Sequence, residues 1–415
     1  MDVVHPRCAG IDISKRDAKV CVRIAGEGRS KPLTQVRTFG AMTKDVLELR
    51  DWLLGQQITC VVMEATGDYW KQFYFLLEDA GFELLLTNAR QVRTMPGRKS
   101  DVSDAQWLAD LGAHGLVHGS FVPPPPIRQL RDLTRLRTHL RREQARDKQR
   151  LEKVLEDAGI KLAAVATDIT GVSARAMLAG LGQGWSPQAL AGLAQKQLRS
   201  KISQLTDALE GRFTAHHQFL VTMLLDRIDR TENDITTIDE HIDELMGPFQ
   251  HAKQLLSTIP GVSSDTAEII IAETGADMAI FPDAKHLVSW SGCAPGMHES
   301  AGKKKSSATR PGNTYLKGAL GIAALAASRM STTYLSALYR RVASRRGPMK
   351  AYVAVENSIL TAVWFMLTTD KPYQDLGADY FMRRKPQQTI DHAIQRIKNL
   401  GYNVTLTPSP AAVAG

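Results

Sequence analysis

Residues 8–13 and 19–24 are short apolar runs joined by the polar turn Ser14-Lys15-Arg16-Asp17, the pattern of a hairpin. Residues 36–39 supply a third strand. Thr43 reads as the N-cap of an amphipathic helix carrying Val46, Leu49, Leu53 and Leu54. A continuous, buried-type strand at 58–63 ends in Glu64, and helix 70–80, strand 82–86 and helix 102–112 follow. Three antiparallel-type strands, then helix, strand, helix, strand, helix is the order of an α/β ribonuclease-H-like fold. The stiff polyproline break at 123–126 closes this first domain, 1–125.

Beyond it the pattern turns helical. Leu130, Leu133, Leu136, Leu140, Leu151 and Leu155 recur at helical spacings over 128–157. The stretch 171–187 is rich in glycine and reads as a connection. A long pattern resumes over 198–246, with Ile228, Ile235, Ile238, Ile242 and Leu245 at a period near 3.5. It predicts an α-helical coiled-coil middle domain, 126–250, that folds back within the chain or dimerises. Apolar helices near 266–272, 314–327 and 352–367 make the third unit, 251–385, mainly α. The polar remainder, 386–415, is expected to be a flexible tail.

Composition narrows the class. The chain has 415 residues, 52 Lys+Arg against 43 Asp+Glu, and a net charge of +9. A basic excess of this kind points toward nucleic acid. Cys8, Cys21, Cys60 and Cys293 form no CxxC pair, against a zinc knuckle or a disulfide framework. No secretory leader and no run of 18 apolar residues is read, so a cytoplasmic protein without a membrane span is expected.

Four carboxylates carry the chemistry. Asp12 interrupts an apolar strand, where a charge is costly without a partner. Glu64 ends a strand that neighbours the first in a ribonuclease-H-like sheet. Asp101 and Asp104 are three apart and share a face at a helix start. Four converging carboxylates repel one another unless divalent cations neutralise them, and oxygen ligands suit Mg²⁺ or Mn²⁺. Asp17, Asp68 and Asp110 are the rivals, read as turn or surface residues.

Two basic regions accompany them. Residues 128–150 hold nine Lys/Arg against three Asp/Glu, and Arg128, Arg131, Arg135, Arg142 and Arg146 are candidates for nucleic-acid backbone contacts. The loop 296–317 carries Lys303, Lys304, Lys305 and Arg310 with no acid after Glu299, a composition suited to phosphates. Met297 and Lys304 occupy the places a Walker A motif gives to glycine and to serine or threonine, so no ATPase is indicated. Residues 256–270, with Ile259-Pro260-Gly261-Val262-Ser263, resemble a helix-hairpin-helix.

With Gly10-Ile11-Asp12-Ile13-Ser14-Lys15, Met63-Glu64-Ala65-Thr66-Gly67 and Arg98-Lys99-Ser100-Asp101-Val102-Ser103-Asp104-Ala105, the chain resembles the DEDD transposases of the insertion-sequence family "one-ten", relatives of pilin-gene invertases. Ser291-Gly292-Cys293-Ala294-Pro295-Gly296, Glu299-Ser300-Ala301-Gly302-Lys303-Lys304-Lys305 and Gly312-Asn313-Thr314-Tyr315-Leu316-Lys317 extend the likeness over about residues 5–370. Ser100 stands where the family commonly has Thr or Asn. The resemblance implies a RuvC-like N-terminal domain, a helical middle and a C-terminal transposase domain. It also implies a serine nucleophile acting with the acidic site across protomers of a dimer or tetramer, and guidance by a structured bridge RNA that pairs with target and donor DNA. Ser300 matches the family's serine, with Ser291, Ser306 and Ser307 as competitors, and His298 is an open candidate for a proton carrier. The function expected is that of a DNA transposase or site-specific recombinase in a bacterial or archaeal cytosol. The alternatives are a metal-dependent Holliday-junction-type endonuclease and a non-catalytic RNA/DNA-binding protein.

Overall fold

The computed structural model describes residues 2–26, 30–65, 67–88, 92, 103–296, 298–300, 303–306 and 308–406, with 298–300 and 303–305 as backbone alone. The chain divides into two compact units, Met1–Pro123 and Pro124–Gly415.

The first unit is built on five strands: β1 (Arg7–Ile13), β2 (Asp17–Ile24), β3 (Leu33–Gly40), β4 (Cys60–Glu64) and β5 (Glu83–Thr87), in the order β3-β2-β1-β4-β5. The first three form an antiparallel meander, and β4 and β5 run parallel to β1. Helices α1 (Thr43–Gly55), α2 (Trp70–Leu77) and α3 (Asp104–Ala113) cover the sheet. This mixed sheet is compatible with a ribonuclease-H-like start.

Alternation along β1 and β4 decides which helix meets which face. Ala9, Ile11, Ile13, Val61 and Met63 pack with Val46, Leu49 and Leu53 of α1 and Phe73 and Leu77 of α2. Burial of each large side chain there contributes about 2 kcal/mol. Cys8, Cys60 and Val62 point the other way, toward Leu108 and Leu111 of α3. Thr43 is the first helical residue rather than the cap. Met42 takes that position without a side-chain bond, because α1 is held by its buried stripe.

The second unit is helical. Its spine is α4 (Pro125–Asp157), and the four short helices α5 (Leu162–Val165), α6 (Val172–Gly182), α7 (Pro187–Ala191) and α8 (Ile202–Ala208) lead to a second long helix, α9 (Ala215–Leu245). Helices α4 and α9 run antiparallel within the chain: Leu130 shares a core with Ile242, and Leu155 shares one with Val221. Buried ionic groups pin the pair, with Arg227 donating to Asp147 at 3.1 Å and Arg137 to Asp239 at 2.7 Å.

Two expected patterns differ here. The glycine-rich stretch 171–187 contains helix α6, because Met177, Leu178 and Leu181 bury one face of it. The long pattern at 198–246 is broken at 209–214, where Thr214 and His217 form the capping box that starts α9.

The rest is a bundle around α15 (Pro348–Thr369), contacted by α10 (Gln250–Ser257), α12 (Ala284–Ser291), α13 (Thr314–Arg329) and α14 (Tyr334–Arg346). Helix α11 (Ser264–Thr274) joins α4 to this bundle. Among the described residues α15 is the one helix long and apolar enough to cross a membrane; here its Val355, Ile359, Leu360 and Val363 are fully buried in the core. Two last helices, α16 (Tyr380–Arg384) and α17 (Pro386–Asn399), follow. The segment expected as a tail is therefore helical over 386–399, although α17 buries none of its residues.

Candidate catalytic site

Gly10 sets the geometry of the acidic site. A Cβ at this position would lie 2.2 Å from the Ala105 carbonyl oxygen and 2.4 Å from the Ala109 nitrogen. Only glycine lets the backbone of α3 lie directly on β1. Asp12 is two residues further along the same strand and so on the same face. Asp104 begins the helix beside Ala105. Its start is fixed by Ser103, whose hydroxyl accepts from the Gln106 N–H while the Gln106 side chain accepts from the Ser103 N–H at 3.1 Å.

The parallel register of β1 and β4 ends at Ile11↔Met63, and the next residues on the two strands are Asp12 and Glu64. Asp12, Glu64 and Asp104 thus gather at the C-terminal end of the central strands, under the N-terminus of α3, whose dipole favours carboxylates. Asp12 and Glu64 are half-buried and Asp104 is exposed. Asp101 lies outside the described residues. Among those described, Asp12, Glu64 and Asp104 do not by themselves close to within 4.8 Å of one another. They form an open, all-oxygen set, chemically suited to a hard divalent cation.

The rival acids are engaged elsewhere. Asp17 accepts from the Ser14 hydroxyl at 2.6 Å, Asp68 pairs with Lys71 at 3.0 Å, and Asp110 accepts from Arg23 at 2.7 Å.

In the second unit, β6 (His298–Ser300) and β7 (Lys303–Ser306) form a two-stranded hairpin, with Ser300↔Lys303 and Glu299↔Lys304 paired and an irregularity at His298/Glu299. The side chains of His298, Ser300, Lys303, Lys304 and Lys305 lie outside the described residues, as does Ser307. The base of the hairpin is tightly held. Gly296 donates to the Ala308 carbonyl at 3.1 Å, and a Cβ on Gly312 would stand 2.0 Å from the Ser291 carbonyl oxygen. Ser291 itself is fully buried and donates to Val288 O at 2.9 Å, so it is occupied structurally. Ser306 lines a cavity of about 880 Å³ together with Cys293, Pro295, Thr309, Met349 and Asn357. Burial raises the Cys293 thiol to about 11, and it raises the neighbouring Glu356 carboxyl as well.

A family model described as "Transposase", for the DEDD proteins of IS110, matches residues 9–160, the stretch that contains all four predicted carboxylates. A second, "Transposase IS116/IS110/IS902 family", matches residues 253–340 and takes in the hairpin. The chain belongs to the IS110 transposase family. It is also similar to the "Pilin gene-inverting protein" of Moraxella bovis, 28% identical over 154 residues, and to that of Moraxella lacunata, 27% identical over 154. These matches span 36% of this chain and 48% of each relative, so the chain covers about half the length of the curated relatives it matches.

The arginines of this IS110-family chain fall into two groups. Arg131 donates to the Ala272 and Glu273 carbonyls at 3.0 and 2.8 Å, and Arg135 makes a two-pronged contact with the Glu273 carboxylate at 2.7 and 2.8 Å. Glu273 is fully buried, and it also accepts from Asn313 at 2.5 Å. Asn313 in turn caps α13 through the Tyr315 and Leu316 N–H groups. Two of the arginines expected on a nucleic-acid surface are therefore committed inside the protein, where they tie α4 to α11 and to the end of the hairpin loop. Arg142, Arg146 and Arg310 are exposed, and Arg128 is half-buried.

Sequence reading missed Arg137, 2% exposed, which pairs with Glu268 at 2.7 Å. The available signal was Glu268 and Glu273 inside the apolar helix 264–274, where a buried acid requires a partner. Gly261 of the helix-hairpin-helix pattern packs on α13, since its Cβ would meet the Ala323 carbonyl oxygen at 2.4 Å.

Proposed function

We propose that this chain is a DNA transposase or site-specific recombinase of an insertion sequence. The observation that carries the reading is the convergence of Asp12, Glu64 and the start of α3 at one end of the sheet, in a chain matched by both transposase models. Asp12, Glu64, Asp101 and Asp104 would hold Mg²⁺, or Mn²⁺, which when bound neutralises phosphate charge and acidifies a coordinated hydroxyl. The Ser300 Oγ–H attacks the DNA phosphorus; the Oγ–P bond forms as one P–O bond to deoxyribose breaks, and the departing deoxyribose oxygen keeps that bond's electron pair and takes up the proton that Ser300 gives up. The phosphoserine so formed conserves the bond energy, so rejoining needs no ATP.

In this reading, residues 1–125 form the RuvC-like acidic domain, 126–250 the basic helical coiled-coil domain and 251–385 the transposase domain with the serine loop. Arg142, Arg146, Arg310 and Lys303 to Lys305 contact nucleic-acid backbone. A structured bridge RNA pairs with target and donor DNA, and the serine of one protomer works with the acidic site of another.

The test is covalent capture. Purified full-length protein, with the RNA that copurifies with it, is incubated with Mg²⁺ and DNA bearing the ends of its own element. A denaturation-resistant protein–DNA adduct is expected, and it disappears in both Ser300→Ala and Asp12→Asn. Cutting that persists in Ser300→Ala but not in Asp12→Asn would replace the serine mechanism with a water-using junction nuclease.

A further inference from the structure

The opposite end of the same sheet carries a different set of donors. His5 precedes β1, Cys60 opens β4 and Glu83 opens β5, and their ligand atoms all lie within 4.8 Å of one another. His5 Nδ1 is already 3.7 Å from Glu83 Oε2.

The backbone fixes all three. Cys60 and Glu83 are register partners on adjacent strands. The His5 N–H donates to the Ala113 carbonyl at 3.0 Å, the Thr59 N–H to Arg7 O at 3.0 Å, and the Glu83 N–H to Thr59 O at 2.8 Å. Burial is graded toward solvent: Cys60 is fully buried, the His5 side chain is 20% exposed and that of Glu83 56% exposed. A cation could therefore enter from the Glu83 side and keep one position open to water. Cys8, the register partner of Cys60 in β1, is also buried, its thiol donating to the Ala9 carbonyl at 3.8 Å. It stands where an outer-shell partner of a sulfur ligand is found.

We propose that His5, Cys60 and Glu83 form a Zn²⁺ site that clips the N-terminal segment to the starts of β4 and β5. One sulfur, one imidazole nitrogen and one carboxylate oxygen suit a borderline ion with tetrahedral preference. They do not suit Mg²⁺, which takes oxygen ligands almost alone. With bonds of about 2.3 Å to sulfur and about 2.0–2.2 Å to nitrogen and oxygen, tetrahedral ligand atoms stand roughly 3.5 Å apart. The His5–Glu83 edge is already near that spacing, and the Cys60 sulfur lies within 4.8 Å of both partners. Binding exchanges the Cys60 thiol proton, released to solvent, for a sulfur–metal bond.

The experiment uses full-length protein freed of metal with a chelator and titrated with Co²⁺, then with Zn²⁺ against a chromophoric competitor. One equivalent of Co²⁺ is expected to give a near-ultraviolet thiolate charge-transfer band and tetrahedral visible bands, both displaced by Zn²⁺. Cys60→Ser removes the charge-transfer band. His5→Gln and Glu83→Gln, which alter side chains at the rim and serve if Cys60→Ser does not fold, weaken Zn²⁺ by more than about tenfold, the scale seen even for loss of an outer-shell partner. Cys8→Ser keeps the band. The proposal is overturned if the unmodified protein shows no such band, if the band survives Cys60→Ser, or if the two rim variants bind Zn²⁺ as tightly as the unmodified chain.

Discussion

Gly10→Ala tests the contact on which the acidic site is built. The added methyl would sit 2.2 Å from Ala105 O, 2.4 Å from Ala109 N and 2.9 Å from the Leu108 Cβ. The two nearest atoms are helix backbone and cannot swing aside, so relief requires α3 to back off β1 by roughly 1 Å to regain contacts near 3.5 Å. Overpacking of this kind costs about 1–3 kcal/mol. A domain stable by about 5–15 kcal/mol stays folded under that load. Asp104 adjoins Ala105 and moves with the helix, away from Asp12 and Glu64. A displacement of about 1 Å at a positioned group costs on the order of 100-fold in rate. Urea unfolding is therefore expected to show a lower midpoint, with DNA cleavage down about 100-fold. Gly55→Ala is the control: nothing lies within 4 Å of its added carbon, so stability holds or rises slightly. Gly10→Ala protein that melted within about 0.5 kcal/mol of the parent and cut DNA normally would refute the helix-on-strand contact.

Other perturbations separate the two kinds of charged residue. Glu273→Ala removes the buried carboxylate that Arg135 and Asn313 donate to and that Arg131 pairs with, and is expected to cost about 3–5 kcal/mol in urea unfolding, with Glu273→Gln costing less. Arg142→Ala and Arg146→Ala are expected to leave stability unchanged and each lower the slope of log affinity against log salt by about 0.9 on duplex DNA, whereas Arg131→Ala lowers stability and leaves the slope alone. The Thr170 hydroxyl, donating at 2.7 Å, and then the Thr170 N–H hold the Asp168 carboxyl below its ordinary 3.8 against some burial. Its contribution is present above pH 3.8 and is lost as pH falls through the depressed value, so Asp168→Asn is expected to be less stable at neutral pH and to converge with the parent in acid.

The strands were legible because each is a compact apolar run: Ala9, Ile11 and Ile13 alternate with Gly10 and Asp12, and 61–63 are apolar throughout. That same alternation placed Asp12 beside Glu64 once β1 and β4 were neighbours. What stayed hidden depends on contacts distant in sequence. Arg131 and Arg135 read as surface charge until Glu273, some 140 residues away, arrives on α11. The glycines of 171–187 suggested a loop, yet a Cβ on Gly180 would meet Leu190 at 2.5 Å and one on Gly182 would meet Gln218 at 2.8 Å. Their presence reflects close packing of a helix. Helix α17 shows the converse: Ile390, Ile394 and Ile397 stand at helical spacing within a polar stretch, although none of its 14 residues is buried.

The basic helix α4 explains why charge counting alone misleads here. Its nine basic residues over 128–150 read as one electrostatic surface, but they divide into a set paired within the protein and an exposed set. Arg137 is held by Asp239 and Glu268, and Arg131 and Arg135 by Glu273. Removing one partner there would leave a buried charge uncompensated, which makes those arginines structural whatever the protein binds. Arg142 and Arg146, about three turns on from Arg131 and Arg135 along the same stripe, are exposed, and there release of counterions would favour a phosphate backbone. Glu273 links the two roles. Through Asn313 it fixes the cap of α13 at the end of the serine loop, so the anchor of the basic helix is also the anchor of the hairpin that carries Ser300. A change at Glu273 should therefore reach the hairpin and the spine of the helical unit together, whereas a change at Arg142 or Arg146 should reach neither.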